Sequence, residues 1–444
     1  MAMVVKNNMS ALNTLNILNK NTSALSKSLQ KVSSGMKINS AADDASGYAI
    51  SERMRVQIRS LDQDKQNTQN GNSMMKVAEG AVSSTVDILK TLKEKVINAA
   101  NDTNTDADRQ TIQKELDQSI DQINDNASVT FNGQYLVDGS HNKQIKQTTS
   151  SLTNQSLGTA TTGATKMTQL TDRNGDSLNI NKTDSVTVSF VMQGKTYTTT
   201  VSNAGACSLT QIVTNATTKA VSSGLATGNG IQISQSNTSY IGVDSSSNKV
   251  YTASGQNGIT INSKKSGVTA QVAGLTISIT DNKGNVNKSA NASLDGFSES
   301  IRAENTSKDN SIVLQVGTKA SQSIKAGLSD MRSTALGLQG TDGSTLNVST
   351  REKANAAINV LDNAIQKALD QQTTIGAVES RLEYTASNLT TASENVTSAE
   401  STIRDADMAK EMTEYTKNNV LMQAAQSMLA QANQNSSNVL SLLK

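Results

Sequence analysis

Apolar side chains recur near the start of the chain at alternating steps of four and three: Ala11, Leu15, Leu18, Thr22, Leu25, Leu29, Val32 and Met36 mark the series. This seven-residue repeat is the spacing of a helix seam that lies along another helix. The positions between are mostly Asn, Ser, Lys, Gln and Thr, so the stripe is narrow and the other faces are polar. A helix of this kind has no core of its own. The partner expected for it is the far end of the chain, and after that other copies of the chain.

Residues 37–47 form a polar break in which Ser40, Asp43 and Asp44 are placed to cap a helix. The next helix is predicted to reach about Ala100, with its seam at Met75, Ala78, Val82, Thr85, Leu89, Leu92, Val96 and Ala99. A third follows a turn and carries Ile112, Leu116, Ile120, Ile123 and Ala127 on one side. Asn132-Gly133 then predicts a short hairpin.

From Gly139 to about Asp309 the texture changes to Ser, Thr, Asn and Gly, and the heptads vanish. Alternation at Val186, Val188 and Phe190, then Gln193-Gly194, then Thr196-Tyr197-Thr198, predicts a second hairpin. Leu209, Ile212, Val213, Ala216 and Ala220 predict one helix. Strands are expected over 230–234, 258–261 and 268–280, and Ser/Thr-rich 148–165 reads as the entry linker to a separate, largely β domain.

After a strand near Ile312, helical seams return at Ala354, Ile358, Leu361, Ile365 and Ala368, then at Val378, Leu382, Thr385, Leu389, Ala392, Val396, Ala399 and Ile403. Asp405 and Asp407 interrupt. A last helix presents Met412, Val420, Leu421, Ala424, Ala425, Met428 and Leu429, and the chain closes through Val439, Leu440, Leu442 and Leu443. The fold class is therefore mainly α with a β-rich insert. The expected domains are 1–44 with 405–444, 45–145 with 311–404, and 146–310. A paired seam of about 25 residues spans ~37 Å, so a rod is expected.

Composition narrows the function. Trp and Pro are absent and aromatics are 2% of residues, which favours long helices packed on each other over a deep small-molecule pocket. A formal charge of +2 without a basic cluster leaves no nucleic-acid footprint. The lone Cys207 permits no internal disulfide and reads as a small apolar residue; the lone His141 reads as a solvated turn residue. No run approaches the ~20 apolar residues of a membrane span, and the opening residues lack the apolar stretch of a secretory leader. No cofactor is implied. The aspartates at 43, 44, 405 and 407 read as helix caps and breaks rather than metal ligands.

Two stretches carry a resemblance. Ser33-Ser-Gly-Met-Lys-Ile-Asn-Ser-Ala-Ala-Asp-Asp-Ala-Ser-Gly47 at the front resembles the strongest motif of bacterial flagellins. At the back Ser401-Thr-Ile-Arg-Asp-Ala-Asp407 and the run from Gln423 to Lys444 do the same. The likeness covers about residues 1–140 and 311–444, and the middle is similar to the family's variable outer domain.

The resemblance implies a subunit that polymerises helically into the extracellular flagellar filament, with its ends ordering on assembly. The N-terminal assembly seam would be Ala11, Leu15, Leu18, Leu25, Leu29, Val32 and Met36. The C-terminal one would be Met412, Val420, Leu421, Ala425, Met428, Leu429, Leu440 and Leu443. A rod-layer core would comprise Met75, Val82, Leu89, Leu92, Val96, Val378, Leu382, Leu389, Val396 and Ile403. Implied partners are other copies of the chain, an export chaperone on the C-terminal segment, the flagellar export apparatus, and the cap and hook–filament junction proteins. Host Toll-like receptor recognition would centre on Thr91, Lys95 and Glu115; the first two depart from the family's Arg and Leu, so weak signalling is expected. The His-Glu-x-x-His zinc motif that some flagellins carry is excluded by the single histidine. The alternatives are a hook–filament junction adaptor with flagellin-like ends, or a filament subunit whose insert also acts as an adhesin.

Overall fold

The computed structural model describes residues 8–442. In chain order these form α1 (Met9–Ser34), α2 (Ala45–Ala99), α3 (Asp106–Ala127), β1 (Thr130–Phe131), β2 (Gln134–Tyr135), β3 (Ser151–Asn154), β4 (Ser185–Met192), β5 (Lys195–Val201) and α4 (Leu209–Ser222). Then come β6 (Ile231–Thr238), β7 (Tyr240–Val243), β8 (Lys249–Tyr251), β9 (Gly258–Ser263), β10 (Val272–Thr280), α5 (Lys288–Leu294), β11 (Phe297–Ile301), β12 (Ile312–Gln315) and β13 (Ser323–Ala326). The long helices α6 (Arg351–Arg404) and α7 (Met408–Leu442) close the chain. The architecture is mainly α with a β-rich insert.

Each helix end has a local cause. Asn8 caps α1 by accepting from the Ala11 amide, and Gly35, at φ 72°, ends it in the left-handed conformation that glycine adopts without strain. Asp44 accepts from the Ser46 and Gly47 amides at the head of α2. Thr105 and Asp108 form a reciprocal capping box on α3. Asp407 accepts from the Ala409 and Lys410 amides to start α7. With no proline to remove a ladder bond, α2 and α6 run for 55 and 54 residues.

The chain divides into two compact units: 8–68 with 315–322 and 384–442, and 69–314 with 323–383. In the second unit one face of α2 is buried along its length, from Met75 and Val82 through Leu89 and Leu92 to Val96 and Ala99. Leu116, Ile120 and Ile123 of α3 and Ala354, Leu361, Ala364 and Ala368 of α6 are buried with it. The β-rich part of this unit has a three-stranded sheet ordered β10-β4-β5 and a four-stranded sheet ordered β11-β3-β9-β6. Phe190, Leu275, Ile277, Ile261 and α4 residues Ile212 and Ala216 share their core. The β4–β5 turn is the two-residue Gln193-Gly194 loop, both at positive φ, with Met192 paired to Lys195.

Residues 148–165 are not a linker. They contain β3, an inner strand of the four-stranded sheet, buried at every position. Its polar side chains enter the core with partners: Thr153 hydroxyl to Thr260 hydroxyl at 3.1 Å, and Asn154 Nδ2 to the Ser293 carbonyl at 2.8 Å. Hydrogen-bonded burial removes the usual penalty on such groups, so Ser/Thr richness misreads as exposure here. The sheets also sit directly on α6. Asn359 and Asn363 donate to the Leu275 and Ala273 carbonyls at 3.0 and 2.8 Å, and a Cβ on Gly274 would come within 2.8 Å of the Val360 methyl.

Candidate assembly surface

In the first unit α1 and α7 lie antiparallel. Asn8 Nδ2 donates to the Ala432 carbonyl at 3.1 Å, Asn21 Nδ2 to the Leu421 carbonyl at 3.2 Å, and Asn418 Nδ2 to the Ser28 hydroxyl at 3.1 Å. Lys31 reaches Glu411 at 3.5 Å. These contacts fix which faces meet. On α1 the covered positions are Ala11, Thr14, Leu18, Asn21, Leu25, Ser28, Val32 and Gly35, and on α7 they are Glu411, Tyr415, Asn418, Met422, Ala425, Leu429 and Ala432.

Both sets are heptads, but half the α1 set is polar or glycine. Of the residues the sequence singled out, Ala11, Leu18, Leu25 and Val32 lie on the meeting face. Leu15 and Leu29, at 42% and 51% exposed, step off it to one side. On α7, Ala425 is buried and Leu429 half-buried. Met412, Val420, Leu421 and Met428 are 44–62% exposed. Leu12 and Ile17, absent from the expected seam, are equally open. Leu443 and the side chain of Leu440 lie outside the described residues. Large aliphatic side chains thus stand exposed on both helices beside the meeting face.

Where this pair ends, the two sequence motifs meet. Met36 and Asp405 form an antiparallel bridge; the Lys37 amide donates to the Arg404 carbonyl at 2.8 Å and the Ala406 amide to the Gly35 carbonyl at 2.9 Å. The nearly buried Arg404 donates to Glu52 at 2.6 Å and to the Met36 sulfur at 3.2 Å, and its guanidinium stands 5.4 Å from the Tyr48 ring centre. That charge-assisted bond holds the Glu52 carboxyl below the usual range. Beneath it Ile38 is buried, and a Cβ on Gly47 would come within 2.7 Å of its methyl. Sequence periodicity missed Arg404, Glu52, Ile38 and Ser28; the clue was that the polar breaks at 37–47 and 405–407 interrupt both seams at matching places.

Four aspartates take their turn and cap roles. Asp43 accepts from the Ser40 and Asn39 amides, which lowers its pKa, and Asp405 accepts from the Ser401 hydroxyl. Among the described residues no group of three or more His, Cys, Asp and Glu side chains could hold a metal, and no helix is long and apolar enough to cross a membrane. His141 is half-buried, with Nδ1 3.4 Å from the Asn310 carbonyl.

The other expected residues divide between the units. Val378 is half-buried and Leu382 buried in the second; Leu389 is buried, and Val396 and Ile403 half-buried, in the first. Lys95 and Glu115 are ion-paired with each other at 3.0 Å, and Thr91 is exposed, its hydroxyl donating back to the Asp87 carbonyl.

Residues 5–142 match the bacterial flagellin N-terminal helical region, and residues 358–443 match the bacterial flagellin C-terminal helical region. A flagellin of Clostridium tyrobutyricum is 33% identical over 97% of this chain and 99% of its own length. A flagellin of Bacillus subtilis is 30% identical, and a flagellar filament 33 kDa core protein of Treponema phagedenis 28% identical, each over the whole of both chains. With matching ends and relatives of full length, the chain belongs to the bacterial flagellin family and is a structural subunit that polymerises into the flagellar filament, not an enzyme.

Proposed function

We propose that the bare stripes of the terminal pair are the contacts between subunits: Leu12, Leu15, Ile17 and Leu29 on α1, and Met412, Val420, Leu421 and Met428 on α7. The observation that carries this is the sorting of side chains. Polar groups fill much of the seam inside the chain, while large aliphatics stand outside it. Covering one such side chain is worth ~1.5–3 kcal/mol, so neighbouring copies supply what the internal seam lacks. Ordering of the ends is thereby coupled to polymerisation. The buried faces of α2 and α6 form the rod layer, and the β-rich insert projects from the filament.

The chain reaches the growing tip through the flagellar export apparatus. An escorting chaperone covers the C-terminal stripe on the way, because an apolar α7 left bare invites premature association. Cap and hook–filament junction proteins meet the same ends, and the finished filament is extracellular. Host receptor signalling is weak, since Lys95 is paired to Glu115 and Thr91 offers no charge.

Seeded elongation of purified subunits tests the central claim. Leu15→Ser with Leu29→Ser, and separately Val420→Ser with Met428→Ser, should abolish growth on seeds while leaving the circular dichroism of the second unit unchanged. Elongation at the unsubstituted rate by either pair would refute it.

A further inference from the structure

Nine of the twelve described methionines lie at two extremes, with Met36, Met54 and Met422 half-buried between them. Met74, Met75, Met167, Met192 and Met331 of the second unit are at most 7% exposed. On the terminal helices Met9, Met408, Met412 and Met428 are 62%, 43%, 45% and 62% exposed. Met412 lines a shallow groove of about 600 Å³ on α7 with Val420, Leu421 and Thr416. The thioethers open to solvent thus stand among the aliphatics assigned above to subunit contacts.

A thioether is apolar and flexible, and fills irregular gaps in packed interfaces; its sulfoxide is polar and cannot be buried without a partner. We propose that Met9, Met408, Met412 and Met428 are an oxidation-sensitive gate on polymerisation, a proposal resting on the assembly surface described above. The oxidant class is hydrogen peroxide or hypochlorous acid. With peroxide, the sulfur attacks one oxygen, the O–O bond breaks, an S–O bond forms and water leaves; sulfur loses two electrons and peroxide gains them. A free subunit is open to this reaction. A polymerised one buries the same sulfurs, so growth and protection go together.

The test uses the full-length chain as monomer and as filament. Each is treated with hydrogen peroxide, quenched with free methionine, mapped by peptide mass spectrometry, and the monomer is then assayed on seeds. In the monomer the four sulfurs should oxidise at least about tenfold faster than the five buried ones, and seeded growth should fall at least about tenfold. Methionine sulfoxide reductases should restore growth, and the Met9→Leu, Met408→Leu, Met412→Leu, Met428→Leu variant should elongate and resist peroxide. Oxidised monomer growing at the untreated rate, with the four sites protected in filaments, would overturn the gate alone. Oxidation of those sites in filaments as fast as in monomer would overturn the assembly surface and the gate together. If the fourfold variant fails to elongate, failure of the reductases to restore oxidised native subunits overturns the gate by itself.

Discussion

The two helical interfaces of this molecule share a heptad spacing and differ in how it is filled. Along α2 every seam position from Met75 to Ala99 is buried, with Thr85 the one polar member. Between α1 and α7 the meeting positions include Thr14, Asn21, Ser28 and Asn418; Asn21 donates to the Leu421 carbonyl and Asn418 to the Ser28 hydroxyl, bonds worth ~1 kcal/mol each at best. Equal spacing therefore encodes helix pairing in both places, but only along α2 is every seam position buried within the chain. Composition at the seam, not its period, separates a finished core from a half of one.

Leu89→Ala would break the contrast from the finished side. It should cost about 4 kcal/mol, seen as a lower denaturation midpoint of the second unit, because its neighbours leave a cavity rather than collapse. Next is a pH effect. Glu299 is buried, its Oε1 without a hydrogen-bond partner, beside Arg302 and Lys367, and burial pushes its pKa up to about 7 from 4.5. A raised carboxyl favours the protonated native state, so its stabilisation is full below about pH 4.5 and is lost as pH rises through about 7. The span is on the order of 3 kcal/mol, and Glu299→Gln should flatten that slope in thermal melts taken across this window. Lys367, pushed down by its burial, acts in the opposite sense at higher pH.

On the unfinished side the effects on the isolated subunit shrink. Arg404→Ala should cost about 2 kcal/mol in the first unit, measured by hydrogen exchange at the N-terminal end of α2, since it strips a charged partner from Glu52. Leu15→Ser with Leu29→Ser should change monomer melting by under ~0.5 kcal/mol while stopping elongation. A large loss of monomer stability from that pair would mean the stripe is already covered within the chain.

Much of this was readable from the residues. The α2 seam, the Asn132-Gly133 and Gln193-Gly194 turns and the α4 face are short-range patterns, and each lies where spacing put it. The register of α1 was half readable. Ala11, Leu18, Leu25 and Val32 face α7, whereas apolar residues one step aside mimic the same repeat, and only the opposing Asn418 and Glu411 decide between them. The insert's sheet order was hidden because β3 pairs with β9 and β11, more than a hundred residues away. Arg404 was hidden for the same reason: its meaning lies in Glu52.

The bridge between Met36 and Asp405 carries one more consequence. Two of its links run from main chain to main chain, so they are blind to which side chains occupy the breaks. Exchanging Lys37 or Ala406 for any residue but proline, which has no amide N–H, leaves both links standing. Deleting a single residue from 38–43 would leave the ladder in register but draw α2 one residue back and part Glu52 from Arg404, making this the place where the molecule tolerates new spelling but no change of length.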